Sequence, residues 1–116
     1  MLLGKGRAAT RVNASGKVVL TAEDAKAESK HGPVILCRLL TDPDDFEGMV
    51  VAEGILTAKG GALSHAAIVS IELEKACVVG AGFEIKGDAL HFADGATVKA
   101  GQTISLNGKT GEITLG

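Results

Sequence analysis

The residues with the most chemical potential stand in one short string, Lys59-Gly60-Gly61-Ala62-Leu63-Ser64-His65-Ala66-Ala67. Here a glycine-bearing loop runs into a histidine at the start of a helix. The first turn of a helix leaves backbone N–H groups unpaired and carries the positive end of the helix dipole, which suits a phosphate. Adjacent glycines let the backbone approach an anion with no side chain between. The same positive potential suits a neutral imidazole, whose lone pair can attack phosphorus, and it stabilises the negative charge of the phosphorylated ring. On pattern alone, alternatives stay open. His65 also reads as a cap or an ordinary surface group. Ser64 reads as an N-cap or as a hydroxyl donor to phosphate, and Lys59 as a solvated side chain or a screen for phosphate charge.

Other reactive residue types invite plainer readings. Cys37 and Cys77 stand far apart, with no CxxC and no histidine spacing suited to zinc, so both read as reduced, buried thiols. His31 closes a helix, where a histidine favours the dipole. His91 alternates with apolar neighbours in a strand. Asp42, Asp44 and Asp45 read as an acidic helix start rather than a metal site. Glu72 and Glu74 form either a solvated edge or a contact to a partner.

These side chains need a scaffold, and the pattern supplies one. Lys17–Leu20 reads as a strand leading to a helix capped by Thr21, with Asp24 placed to close a capping box. That helix ends at His31-Gly32-Pro33, Gly32 suiting a left-handed cap and Pro33 preventing continuation. The nearly unbroken apolar run Val34–Leu40 reads as a central buried strand. Thr41–Phe46 opens a second helix with Pro43 in its first turn. Gly54–Thr57 is a short strand, Ala58–Leu63 the glycine loop, and Ser64–Glu74 a largely buried helix followed by a strand at Ala76–Val79. Turn signals at Lys86-Gly87-Asp88, Ala93-Asp94-Gly95 and Asn107–Gly111 mark hairpins in the last third. The expected fold is a mixed α/β domain, compact and β-rich toward its C-terminus.

Composition narrows the function. With 116 residues, 46% of them apolar, one domain over residues 1–116 can bury its own core. Twelve basic against 14 acidic residues leave no basic footprint for nucleic acid, and three Phe with no Trp or Tyr leave no stacking platform. No apolar run reaches the ~20 residues of a membrane span, and no secretory signal opens the chain. A cytoplasmic location is the expectation, with neither nucleic acid nor membrane as a partner. Sixteen glycines, nearly twice the usual ~7%, imply many tight turns.

The string Gly60-Gly61-Ala62-Leu63-Ser64-His65-Ala66-Ala67-Ile68-Val69 resembles the phosphohistidine motif of PEP-utilising enzymes. The whole chain is most similar to the mobile central domain of pyruvate phosphate dikinases. Thr41–Met49, Ala52–Thr57 and Ser105–Ile113 extend the likeness over nearly its full length. The resemblance implies a swivelling β/β/α domain whose histidine accepts an ATP-derived phosphoryl group and delivers it to pyruvate, making phosphoenolpyruvate, or runs in reverse. It implies His65 as the carrier, with Gly60, Gly61, Ser64 and Lys59 shaping the phosphate pocket. It also implies partners, an ATP-binding domain and a PEP/pyruvate-binding TIM-barrel domain, in the same parent protein or in trans. Mg2+ is expected in those domains and no cofactor in this one, so the chain does not turn over alone.

Several positions depart from the family pattern. Leu63 replaces the threonine that usually stands two residues before the histidine, Lys59 the arginine before the glycine pair, and Ile71 an arginine after the motif. Ala8–Val12 replaces a Pro-Ala-Ser-Pro-Gly run. Two alternatives follow: a carrier serving another acceptor, as in PEP synthase, and a non-catalytic regulatory or interaction domain that kept the fold.

Overall fold

The computed structural model describes residues 1–116. The chain forms eleven strands and three α-helices, the helices falling between β3 and β6. The strands are β1 (Leu2–Lys5), β2 (Arg7–Ala8), β3 (Ala14–Val19), β4 (Val34–Arg38), β5 (Gly54–Thr57), β6 (Ala76–Val79), β7 (Glu84–Lys86), β8 (Ala89–His91), β9 (Thr97–Lys99), β10 (Thr103–Leu106) and β11 (Glu112–Leu115). The helices are α1 (Ala22–Glu28), α2 (Phe46–Val51) and α3 (His65–Leu73).

Eight strands form one sheet in the order β1-β11-β10-β3-β4-β5-β6-β2, and β7-β8-β9 form a second. From β3 to β6 the strands run parallel, each joined to the next by a helical connection, as parallel pairing requires. The flanking pairs are antiparallel. Strands β1 and β2 occupy opposite edges although only Gly6 separates them, so the large sheet curls until its edges meet. The Gly6 amide donates to the Gly111 carbonyl at 2.9 Å on this seam.

The central strands are apolar on both faces, and strict alternation sorts their side chains into two cores. Ile35 and Cys37 point with Leu56, Ala76 and Val78 into the concave side, which the small sheet fills with Phe83, Leu90, Phe92 and Val98. Val34 and Leu36 point the other way with Ile55, Cys77 and Val79, under Ala25, Met49, Ala66 and Ala67 of the helices. The layers are small sheet, large sheet and helices, the β/β/α arrangement expected. Helices α1 and α2 approach closely because position 48 is glycine: a Cβ there would sit 2.7 Å from Ala22 Cα.

Most expected elements are present, β5 and β6 with the same boundaries. Thr21 caps α1 by accepting from the Asp24 amide at 3.0 Å, but the Asp24 carboxylate does not return the bond, so only half of the capping box forms. Gly32 is not in the left-handed helical region. Its φ of 147° with ψ of 179° follows a 310 turn over Ser29–His31, an extended geometry that favours glycine. Strand β4 stops at Arg38 rather than Leu40, because the ladder with β5 ends there and Leu39 and Leu40 bend out to solvent. Strand β3 begins at Ala14, earlier than its apolar stretch, held by pairing with β10. Strands β1 and β2 carry no legible alternation; pairing of β1 with β11 and of β2 with β6 makes them strands. No helix is long and apolar enough to cross a membrane.

Candidate active site

The parallel strands β4 and β5 end side by side, and the chain leaving each contributes to one surface beyond their carboxyl ends, where ligands of open α/β sheets gather. From β5 comes the loop Ala58–Leu63. It is fastened underneath by Thr57, whose hydroxyl donates to the Lys59 carbonyl at 2.7 Å. The segment after β6 fastens it from the side, with Ala81 and Gly82 amides donating to the Thr57 and Ala58 carbonyls. Gly60 has φ of +98°, and a Cβ there would press on Ser64 Cβ at 3.1 Å, so the turn itself requires glycine. Gly61 has neither constraint: a Cβ there would meet nothing within 4 Å.

Ser64 is the N-cap of α3, its extended backbone (ψ 160°) turning the chain into the helix. Its hydroxyl accepts from the Ala67 amide at 3.4 Å and donates to the Gly61 carbonyl at 2.8 Å, tying cap to loop. His65 is therefore the first helical residue, and neither its amide nor that of Ala66 has a backbone acceptor. Ala66 and Ala67 are buried and seat the helix on the sheet, which leaves His65 half-buried at its near end.

From β4 comes a residue that the sequence pattern placed only at a helix start. Thr41 is 8% exposed, and its Oγ1 lies 2.8 Å from His65 Nδ1. This hydrogen bond fixes the ring plane and engages one of the two nitrogens, and Nε2 is the other. The signal for Thr41 was topological: it stands just beyond the carboxyl end of the central strand, next to the strand that carries the histidine loop.

The structure brings Gly60, Gly61, Ser64 and His65 together as expected. It does not bring in Lys59, which is exposed and whose side chain makes no hydrogen bond or ion pair. Three aliphatic side chains stand around the histidine in solvent: Leu63 at 87% exposure, Leu40 at 51% and Ile68 at 46%. None of the four surface concavities includes His65. His65 itself is half-buried at the end of the sheet.

The model for the mobile domain of PEP-utilising enzymes matches residues 30–111, a span that holds Thr41, the glycine loop and His65. The chain belongs to that family. Within it, the chain is 46% identical over 119 residues to a chloroplastic pyruvate, phosphate dikinase of Arabidopsis thaliana, and 46% identical over 118 residues to the pyruvate, phosphate dikinase of Clostridium symbiosum. Each match covers 99% of this chain but only 12% and 14% of those proteins, so the chain is homologous to one segment of a much larger enzyme. Among solved structures it is similar to an Enzyme I protein, with 27% identity, a TM-score of 0.52 and coverage of 72% of this chain and 30% of that one. The fold is also that of Thermococcus kodakaraensis aconitase X (TM-score 0.59, 14% identity), matched over 97% of this chain and 96% of that one.

The two thiols lie in the strands beneath the site and take no part in it. Burial pushes the Cys77 thiol up to about 11 and raises Cys37 further still. His31 is exposed at the end of the 310 turn after α1, and His91 is half-buried in β8. Glu72 and Glu74 are exposed on α3 and at its left-handed C-cap.

Proposed function

We propose that the chain is a phosphohistidine carrier domain and that His65 Nε2 is the atom that carries the phosphoryl group. The observation behind this reading is the Thr41–His65 contact. With Nδ1–H donating to Thr41 Oγ1, the Nε2 lone pair is free at the surface. That lone pair attacks the phosphorus of phosphoenolpyruvate. The N–P bond forms as the bridging P–O bond breaks, and the enolate leaves and takes a proton to become pyruvate. Running in reverse, the phosphoramidate on His65 is attacked by the pyruvate enolate oxygen. The unpaired amides of His65 and Ala66 at the positive end of α3 serve the charge that accumulates, while the Ser64 hydroxyl, bonded to the Gly61 carbonyl, holds the loop in shape. Positioning with electrostatic stabilisation is most of what phosphoryl transfer asks of a protein.

All 116 residues act here as one carrier domain, and the reaction is completed by an ATP-binding domain and a PEP/pyruvate-binding TIM-barrel domain. The identity to the dikinases supports pyruvate as acceptor. Mg2+ belongs with the nucleotide and PEP sites of those domains, and the carrier works in the cytoplasm. Leu40, Leu63 and Ile68 form the apolar border that a docked partner covers, excluding water from the phosphoramidate. The likeness to Enzyme I favours a second reading of the same class, in which the acceptor is not pyruvate. A chimera separates the two: this chain replaces the matching segment of the Clostridium symbiosum dikinase, and ATP- and phosphate-dependent formation of phosphoenolpyruvate from pyruvate is measured. Turnover lost in the His65→Ala chimera supports the first reading. A chimera that phosphorylates His65 but makes no phosphoenolpyruvate supports the second.

A further inference from the structure

Between the central strand and the residue that holds His65 lies a charge pair that the proposed chemistry does not use. Asp45 is 5% exposed, a carboxylate placed in the protein interior at the junction of a 310 turn and α2. Its Oδ2 accepts from the Asp42 amide at 3.0 Å and lies 3.4 Å from Arg38 Nε. Arg38 is the last residue of β4, and its Nη1 donates to the Leu20 carbonyl at the end of β3, 3.2 Å away. Arg38 Nε is buried and has no aligned hydrogen bond, so the Asp45 carboxylate is its counter-charge.

Capping alone does not account for a buried carboxylate. The 310 turn already has a cap in Asp42, whose side chain accepts from the Asp44 amide at 2.8 Å. A neutral amide could accept from the Asp42 amide without the desolvation cost of a charge. What the pair accomplishes is geometric. Leu39, Leu40, Thr41 and Asp42 leave the sheet between Arg38 and Asp45, and Leu39 and Leu40 are largely exposed. The ion pair closes that excursion at both ends, and the bond to the Asp42 amide fixes the residue next to Thr41.

We infer that Arg38 and Asp45 are positioning residues, which hold Thr41 Oγ1 against His65 Nδ1 and thereby select the Nδ1–H tautomer of the ring. Free histidine favours the opposite, Nε2–H, form, so the selection needs a rigid acceptor at Nδ1. The inference takes from the carrier reading only that Nε2 is the nucleophile.

The test is long-range proton–nitrogen NMR of the 15N-labelled chain, with the His65 ring assigned by its loss in His65→Ala. The wild type shows Nδ1–H as the majority form. In Asp45→Asn, which keeps an acceptor for the Asp42 amide, and in Arg38→Met, it falls to a minority. Arg38→Lys, which keeps charge without the fork, recovers part of it. Wild-type tautomer populations in folded Asp45→Asn or Arg38→Met overturn the inference, because a purely structural pair would lower the melting temperature without moving the tautomer. Should Arg38→Met fail to fold, the near-isosteric Asp45→Asn carries the same readout. The tautomer is read without any phosphoryl transfer, so failure of the carrier reading shows elsewhere, as absence of label on His65.

Discussion

Thr41 Oγ1 and His65 Nδ1 lie 2.8 Å apart, although 24 positions separate them in sequence and they leave different strands. The contact exists because β4 and β5 are parallel neighbours ending at the same level, so the chain beyond each meets that beyond the other. A surface histidine is thereby held in one orientation with one nitrogen engaged.

Removing that hydroxyl slows phosphoryl uptake without unfolding the domain. Thr41→Val keeps the shape and loses the hydrogen bond, a net contribution of about 1 kcal/mol in such settings. Since 1.36 kcal/mol corresponds to about tenfold in rate, 1 kcal/mol corresponds to about fivefold, and uptake falls by roughly that factor. Rapid-quench labelling compared with thermal melting checks it, and an unchanged rate removes Thr41 from the mechanism.

The two glycines before the helix answer differently to alanine. Gly60→Ala forces a side chain onto a φ of +98° and against Ser64, so it distorts the loop and lowers both stability and labelling. Gly61→Ala meets nothing in the protein, so the fold and melting temperature stay as they are. Any loss of labelling in Gly61→Ala then reports an anion approaching that backbone, and urea titrations beside labelling rates separate the two effects.

The helical layer depends on the close approach of α1 and α2 at position 48. A Cβ on Gly48 would sit 2.7 Å from the Ala22 backbone, which cannot yield as a flexible side chain does. Gly48→Ala costs about 1–3 kcal/mol by overpacking. Equilibrium urea unfolding measures it, and a change within about 0.5 kcal/mol contradicts this packing.

Alkali weakens the fold through the buried thiols. Cys77 keeps its proton in the folded state up to about 11, against an ordinary value of 9.0, and Cys37 keeps it further. Each folded value is raised, so the contribution is fully present below about pH 9 and is lost as pH rises through the folded value. In that window the unfolded chain releases protons that the folded chain retains, and each thiol costs up to about 1.4 kcal/mol per pH unit. Unfolding free energies of wild type and Cys77→Ala at pH 8 and pH 10 check the sign: the wild type loses more. The same protonation leaves both native thiols unreactive to Ellman's reagent at pH 8 until urea exposes them.

Much of this arrangement was legible in the sequence. Val34–Leu40 reads as a buried central strand, and its first part, Val34–Cys37, is one because it is apolar on both faces and flanked by two cores, whereas Leu39 and Leu40 are exposed. The glycine loop, the Ser64 cap and His65 in a first turn were readable because each is a local property of neighbouring residues. Thr41 and Asp45 were not. Both looked like parts of an ordinary helix start, and their roles come from strand order, which brings the end of β4 beside the end of β5 and places Arg38 over the carboxylate. Lys59 lies in solvent, the first of the two readings that its sequence position offered. Strands β1 and β2 were illegible because the far edge of a curled sheet makes them, not their own pattern.

The central claim is that His65 takes the phosphoryl group. The most direct measurement supplies isotopically labelled phosphoenolpyruvate to the chimera that carries this chain in place of the matching dikinase segment, and assays the label for acid lability and base stability. The account predicts an acid-labile, base-stable phosphoramidate that maps to His65 and is absent from a His65→Ala chimera with an unchanged melting temperature. Equal labelling of His65→Ala would contradict it, as would an unlabelled wild-type chimera whose PEP-binding domain still binds phosphoenolpyruvate.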